Sequence, residues 1–85
     1  MSSKVKVFAL STCGWCKRAI SWLDENGVTY EKIETDKLDS SERESVLEEM
    51  KQFNPRRSFP TIVIDDGAHV VIGFRPEELE GKLLK

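Results

Sequence analysis

The spacing of apolar and polar positions along this chain changes period several times and marks out seven elements. Residues 5–10 (VKVFAL) are β-rich, and from Val7 to Leu10 no polar residue falls on either face, as expected of a strand covered on both sides. Over residues 14–26 the apolar positions Cys16, Ala19, Ile20 and Leu23 recur at helical spacing, and Asn26-Gly27 supplies a stop. Trp15 and Trp22 fall on a neighbouring stripe, with Trp22 expected in the core. Residues 28–34 (VTYEKIE) form a shorter, more polar β-type run that suits an edge strand better than a centre. Strand, helix and strand in this order are the sequence form of a right-handed parallel crossover.

The second half repeats the exercise with different signals. Two helix starts overlap at capping-box spacing, Asp39 with Glu42 and Ser41 with Glu44. Val46, Leu47, Met50 and Phe53 then form a buried stripe, the charged residues between them a solvated face, and Asn54-Pro55 the end. Residues 61–64 (TIVI) and 68–72 (AHVVI) are β runs separated by Asp65-Asp66-Gly67, a short-range hairpin signal, so these strands should be antiparallel. Residues 73–76 break the pattern, Pro76 can occupy a first helical turn, and Leu79, Leu83 and Leu84 make a last apolar stripe. The order is β-α-β-α-β-β-α, without linker, repeat or low-complexity segment, which is expected to form a single domain over residues 1–85.

Composition narrows the partners. With 13 basic and 15 acidic side chains the net charge is -2, which gives no reason to expect nucleic acid, and no basic run suggests an anionic membrane. Residues 5–10 are too short, and too interrupted by Lys6, for a signal segment, and no apolar stretch approaches ~20 residues, so a cytoplasmic protein is expected. There are two cysteines, Cys13 and Cys16. A bridge across two intervening residues removes little chain entropy, so structural stapling explains the pair poorly.

Chemistry explains it better. Two residues apart at a helix start, the thiols are close enough to form and break a disulfide without large backbone movement. Cys13 would sit where unpaired N–H groups and the positive end of the helix dipole favour a thiolate, which makes it the candidate nucleophile. Cys16, one turn in on the apolar stripe, should be less exposed and less ionised, as suits a resolving thiol. A stabilised Cys13 thiolate is also a good leaving group when Cys16 attacks a mixed disulfide. Two thiolates supply only half of a tetrahedral zinc site, and the lone His69 beside the hairpin turn does not complete one; it reads as a surface residue. Trp15, between the cysteines, is either a contact for a protein partner or a lid over the pair.

These residues resemble the glutaredoxin family of the thioredoxin-fold redoxins over nearly the whole chain. The likeness rests on Cys13-Gly14-Trp15-Cys16 after the first strand, Ser58-Phe59-Pro60 before the third, the Asp-Gly hairpin, and Gly73-Phe74-Arg75-Pro76-Glu77 before the last helix. It implies a thioredoxin-like α/β fold with a four-stranded mixed sheet flanked by helices. It also implies a cis Pro60 facing the cysteine pair, with the Phe59 backbone free to pair with an extended substrate. The implied activity is that of a small, monomeric thiol-disulfide oxidoreductase, an electron carrier in which Cys13 attacks and Cys16 resolves, with no bound cofactor beyond the Cys13–Cys16 disulfide. Substrate or thiol binding is expected at Thr12, Gly14, Trp15 and Lys17, at Arg57, Ser58, Phe59 and Pro60, and at Gly73, Phe74 and Arg75.

The electron source divides the family. Members commonly have proline where Gly14 stands and a second glycine where Phe74 stands. Residues 73–77 look instead like the glutaredoxin-like hydrogen donors of ribonucleotide reductase (NrdH-type), whose members take electrons from thioredoxin reductase, so the resemblance implies ribonucleotide reductase as a candidate target and thioredoxin reductase as a candidate electron source. Arg56, Arg57 and Arg75 could alternatively hold the carboxylates of glutathione or another small thiol, or be ordinary solvated side chains. A second class of function follows from Gly14, because relatives without proline there sometimes hold a [2Fe-2S] cluster across two chains; here Cys13 and an external thiol would be the ligands.

Overall fold

The computed structural model describes residues 4–56 and 58–84, and within them β1 (Val5–Ala9), α1 (Gly14–Glu25), β2 (Glu31–Glu34), α2 (Ser40–Phe53), β3 (Thr61–Ile64), β4 (His69–Ile72) and α3 (Pro76–Leu83) follow one another. Short 3-10 turns occupy Thr35–Lys37 and Asp65–Gly67. The strands form one sheet in the order β2-β1-β3-β4, with β1 parallel to β2 and the other two pairings antiparallel. This is the thioredoxin-like mixed sheet implied by the family resemblance, and it contains the parallel crossover and the antiparallel hairpin expected from the order of the elements.

Side-chain alternation on the two central strands sorts the helices between the faces. Val5, Val7 and Ala9 of β1, with Ile62 and Ile64 of β3, point to one side and pack with Cys16, Ala19 and Leu23 of α1, Val71 of β4 and Leu79 of α3. Phe8 and Val63 point to the other and pack with Met50 of α2, joined by Val46, Leu47 and Phe53. All four residues of β3 are buried, as are Val7, Phe8 and Ala9, so the run without polar positions marks a doubly covered strand. Each fully buried side chain of the Phe8 or Leu23 type contributes roughly 1.5–3 kcal/mol of hydrophobic stabilisation.

Several local expectations shift. Of the two overlapping starts, Asp39 caps α2: its Oδ1 accepts the Glu42 amide at 2.8 Å and the Ser41 hydroxyl at 3.0 Å. The edge strand begins at Glu31 rather than at 28, because the Val28 amide donates to Leu23 O at 2.9 Å and the Tyr30 hydroxyl to Asp24 at 2.8 Å. Residues 28–30 therefore follow α1 as a connection tied back to its last turn. The hairpin is longer than a two-residue Asp-Gly turn: Asp65 and Asp66 both take left-handed φ (54° and 57°), and β4 starts at His69. Lys4 N donates to the Asp65 carboxylate and Asp65 N to Lys4 O, which anchors that turn. Leu84 leaves the predicted stripe, 45% exposed, since α3 ends at Leu83. Trp22 is half-buried, packing from the flank of the core. No described helix is long and apolar enough to cross a membrane.

Candidate active site

Leaving β1 at Ala9, the chain turns tightly, with the Cys13 amide donating to Leu10 O at 3.1 Å. Cys13 is the N-cap of α1 (φ −85°, ψ 117°), and its sulfur accepts the Cys16 amide at 3.2 Å while its carbonyl accepts the Lys17 amide at 3.1 Å. The sulfur thus takes the place that a Ser or Asp oxygen fills at other helix starts, over otherwise unpaired N–H groups that favour negative charge. Cys13 is half-buried, whereas Cys16 is 1% exposed on the buried stripe, and both thiols are free. Burial, reinforced by the contact with Cys13, pushes the Cys16 thiol well above its ordinary range.

The sheet brings a second segment to the same end. β1 and β3 are antiparallel, with Phe8 opposite Thr61, so the residue before Thr61 stands one step beyond, towards the turn that carries Cys13. That residue is Pro60, buried and joined to Phe59 by a cis peptide bond. Its carbonyl accepts the amide of Gly73 at 2.8 Å. Gly73 has φ 84°, a left-handed conformation that glycine adopts without a Cβ clash. Cys13, Phe59 and Phe74 all pack against the core cluster that contains Cys16. Three segments far apart in sequence, around residues 13, 60 and 73, therefore meet at one end of the sheet.

Asn54 holds the middle segment in shape, and sequence reasoning missed it by reading Asn54-Pro55 only as a helix end. Its side chain is 1% exposed. The amide donates to Thr61 Oγ1 at 2.9 Å, Ser58 Oγ at 3.0 Å and Ser58 O at 3.1 Å, while Oδ1 accepts the Arg56 amide at 3.1 Å. The Thr61 hydroxyl closes the loop on Ser58 O at 2.8 Å. A second unanticipated network braces the turn before Cys13. Asp36 accepts both the Ser11 hydroxyl and the Ser11 amide, the latter at 2.9 Å, and these bonds hold its carboxyl below the usual carboxylate value. Thr35 Oγ1 donates to Ala9 O at 3.4 Å, and Arg43 donates to the carbonyls of Thr35, Asp36 and Leu38 at 3.0–3.1 Å.

The remaining predicted positions scatter more widely. Thr12, Gly14, Lys17 and Ser58 are exposed, and Trp15 is 59% exposed with the Arg18 guanidinium 4.9 Å over its ring. Arg56 is exposed. Arg75 folds back so that its Nε donates to Ile72 O at 3.1 Å. Arg57 lies outside the described residues. His69 is exposed at the start of β4, the far end of that strand from Gly73. A shallow hollow of about 330 Å³ adjoins α1, lined by Lys17, Arg18, Ser21, Trp22, Glu25 and Phe74. A larger recess of about 680 Å³ lies at the opposite end of β1, around Lys4, Val5, Lys6 and Glu31, and includes neither cysteine.

Comparison with known proteins agrees with this geometry. The glutaredoxin family model matches residues 5–70. A probable glutaredoxin of Synechocystis sp. is 35% identical over 66 residues, 78% of this chain and 70% of its own. Among solved structures, a glutaredoxin from Methanosarcina mazei superposes with a TM-score of 0.85 at 38% identity, covering 92% of this chain and 75% of that one. Methanosarcina acetivorans methanoredoxin gives 0.90 at 32% identity, covering 94% and 83%. The NrdH-redoxin of Escherichia coli, at 0.69 and 20% identity over 93% of each chain, shares the fold. A family match that runs from the first strand into the last, together with relatives above 30% identity on both sequence and structure, makes this chain a member of the glutaredoxin family.

Proposed function

We propose that this protein is a cytoplasmic, monomeric dithiol-disulfide oxidoreductase that reduces disulfides in proteins, or mixed disulfides, through Cys13 and Cys16. The observation that carries the reading is the asymmetry of the pair: one sulfur half-exposed on the amides of a helix start, the other fully buried one turn below. The Cys13 thiolate attacks one sulfur of the substrate disulfide, that S–S bond breaks, and the first substrate thiolate departs and takes up a proton. Cys16 then loses its proton as its sulfur attacks Cys13, releasing the second substrate thiol and leaving the Cys13–Cys16 disulfide. Two electrons have passed from the dithiol to the substrate. The buried, protonated state of Cys16 keeps it from competing for the first attack.

Phe59 and Gly73, half-buried over the buried Pro60, would form the floor against which an extended substrate lies, and Lys17 adds positive charge beside the pair. An external reductant must return the electrons. A small thiol such as glutathione and thioredoxin reductase are the two candidates, and ribonucleotide reductase remains a candidate target. The [2Fe-2S] alternative would use Cys13 and an external thiol across two chains, and no observation on this chain favours it over exchange between Cys13 and Cys16.

The test is a trapping experiment. Cys16→Ser should accumulate a mixed disulfide on Cys13, seen by mass spectrometry, and Cys13→Ser should abolish reduction of a test disulfide. Persistent activity of Cys13→Ser would overturn the assignment. Offering the oxidised protein glutathione with its reductase, and separately NADPH with thioredoxin reductase, sorts the two electron sources.

A further inference from the structure

The start of α1 departs from what helix physics favours. Acidic residues stabilise the first turn of a helix and cations oppose its dipole. Yet α1 has no acidic residue there, and Lys17 and Arg18 follow directly. Neither cation is among the described residues that form ion pairs, which leaves both charges open to an external carboxylate. Trp15 adds an indole that is 59% exposed, the most exposed large apolar side chain described. Arg18 is stacked over that ring at 4.9 Å, which limits its freedom and leaves its guanidinium edge to meet a carboxylate. Next to these cations opens the 330 Å³ hollow, with half-buried Trp22 and Phe74 among its walls. A local preference set aside, with only the Arg18–Trp15 stacking to offset it inside the fold, points to function.

We infer that this face docks an acidic peptide segment flanking the cysteine of a disulfide-bearing protein partner. Carboxylates of the segment meet Lys17 and Arg18, and an apolar side chain enters the hollow against Trp22 and Phe74. The inference rests on the proposed attack by Cys13 and names the substrate class for it. Because the chain as a whole is acidic, the attraction is local to this helix start and does not come from net charge. Helical rise sets its reach: Lys17 and Arg18 lie about 6–8 Å along α1 from Cys13, and Glu25 about 18 Å. At about 3.3 Å per extended residue, acidic side chains should help within two or three positions of the partner cysteine. At five positions or more they face Glu25 and should not help.

The experiment uses the reduced wild-type protein and three disulfide-linked peptide dimers, identical except for Asp, Asn or Lys on both sides of the cysteine. Oxidation of the protein is followed by tryptophan fluorescence. Each rate is divided by that of dithiothreitol with the same peptide, which removes differences in intrinsic disulfide reactivity. At low ionic strength the Asp peptide should react about fivefold faster than the Asn peptide, the size expected of two exposed charge pairs. The Lys peptide should be slower still, and the ratios should shrink towards one at about 0.5 M salt. Arg18→Glu should reduce or invert the Asp-to-Lys ratio. Equal rates for the Asp and Asn peptides would overturn the inference while leaving the oxidoreductase reading intact. A ratio unchanged in Arg18→Glu would place recognition elsewhere and overturn it too. If no peptide oxidises the protein, the oxidoreductase reading itself fails.

Discussion

The side-chain amide of Asn54 donates to Thr61 Oγ1 at 2.9 Å, joining the last residue of the α2 cap to the first residue of β3 across the loop that carries Pro60. Both groups are buried, so they depend on each other and on Ser58 for their hydrogen bonds. Asn54→Ala strips the amide from Ser58 and Thr61 together and should lower stability by about 1–3 kcal/mol, the cost of buried polar groups left without partners. Thr61→Val should be milder, because Asn54 keeps its bonds to Ser58. Urea denaturation of both variants checks the order. If Asn54→Ala equals wild type, the loop has another support.

Cys16 predicts an alkaline loss of stability. Its thiol titrates above its ordinary value of 9.0 in the folded protein because it is buried. Above pH 9 the unfolded chain releases this proton while the folded chain keeps it, so folding binds the proton and stability falls as pH rises. Below pH 9 both states are protonated and the contribution does not vary. The stability difference between the reduced protein and Cys16→Ser should therefore be flat from pH 6 to about 8.5 and move against the wild type by pH 10, as measured by urea denaturation under reductant.

Asp36 works in the opposite sense. The Ser11 hydroxyl and amide hold its carboxyl below the ordinary value of 3.8, so the tie is fully formed above that value and is lost as pH falls through the lower folded one. In an acid titration followed by NMR, the Ser11 amide should shift with a midpoint below 3.8, and Asp36→Asn should abolish that titration. A midpoint at or above 3.8 would mean that the bond is not kept in solution.

The glycines at the two turns predict opposite signs. A Cβ at Gly14 meets no neighbouring atom within 4 Å, the residue is the first of α1, and Cys13 before it already has an extended conformation compatible with a following proline. Gly14→Pro should stabilise the protein by about 0.4–1 kcal/mol by restricting the unfolded chain. Gly67 has φ 108°, and a Cβ there would lie 2.8 Å from the Phe53 ring. Gly67→Ala should destabilise by roughly 1–3 kcal/mol through backbone strain and displacement of that ring. Thermal melts of the two variants should bracket the wild type.

The fold was legible because its core is written in local periods. The unbroken apolar runs of β1 and β3 and the 3.6-residue stripes of α1 and α2 are each readable within a window of one element. The cysteine pair was legible for the same reason, as a spacing within one turn. Asn54, Asp36 and Arg43 were not. Their partners lie on other segments, and a buried amide has the same composition as an exposed one. Arg43 lies exposed on the solvated face of α2 as its position suggests, yet its guanidinium also meets three carbonyls of the Thr35–Lys37 turn and its exit. Arg18 escaped notice because stacking on Trp15 is a relation between side-chain orientations, which three-residue spacing permits but does not require.

Sheet order has a consequence for synthesis on the ribosome. β1 is made first but sits between β2 and β3, and its Val5, Val7 and Ala9 share a core cluster with the later residues Ile62, Ile64, Val71 and Leu79. When α2 has just emerged, β1 can pair with β2 and rest on α1 and α2, yet Val5 and Val7 still lack their partners from the last third of the chain. That apolar face of the nascent chain therefore stays incomplete until Leu79 has been made and can join the cluster. The cysteines meet the same schedule: they are translated early, but the site they belong to closes only when Gly73 reaches Pro60.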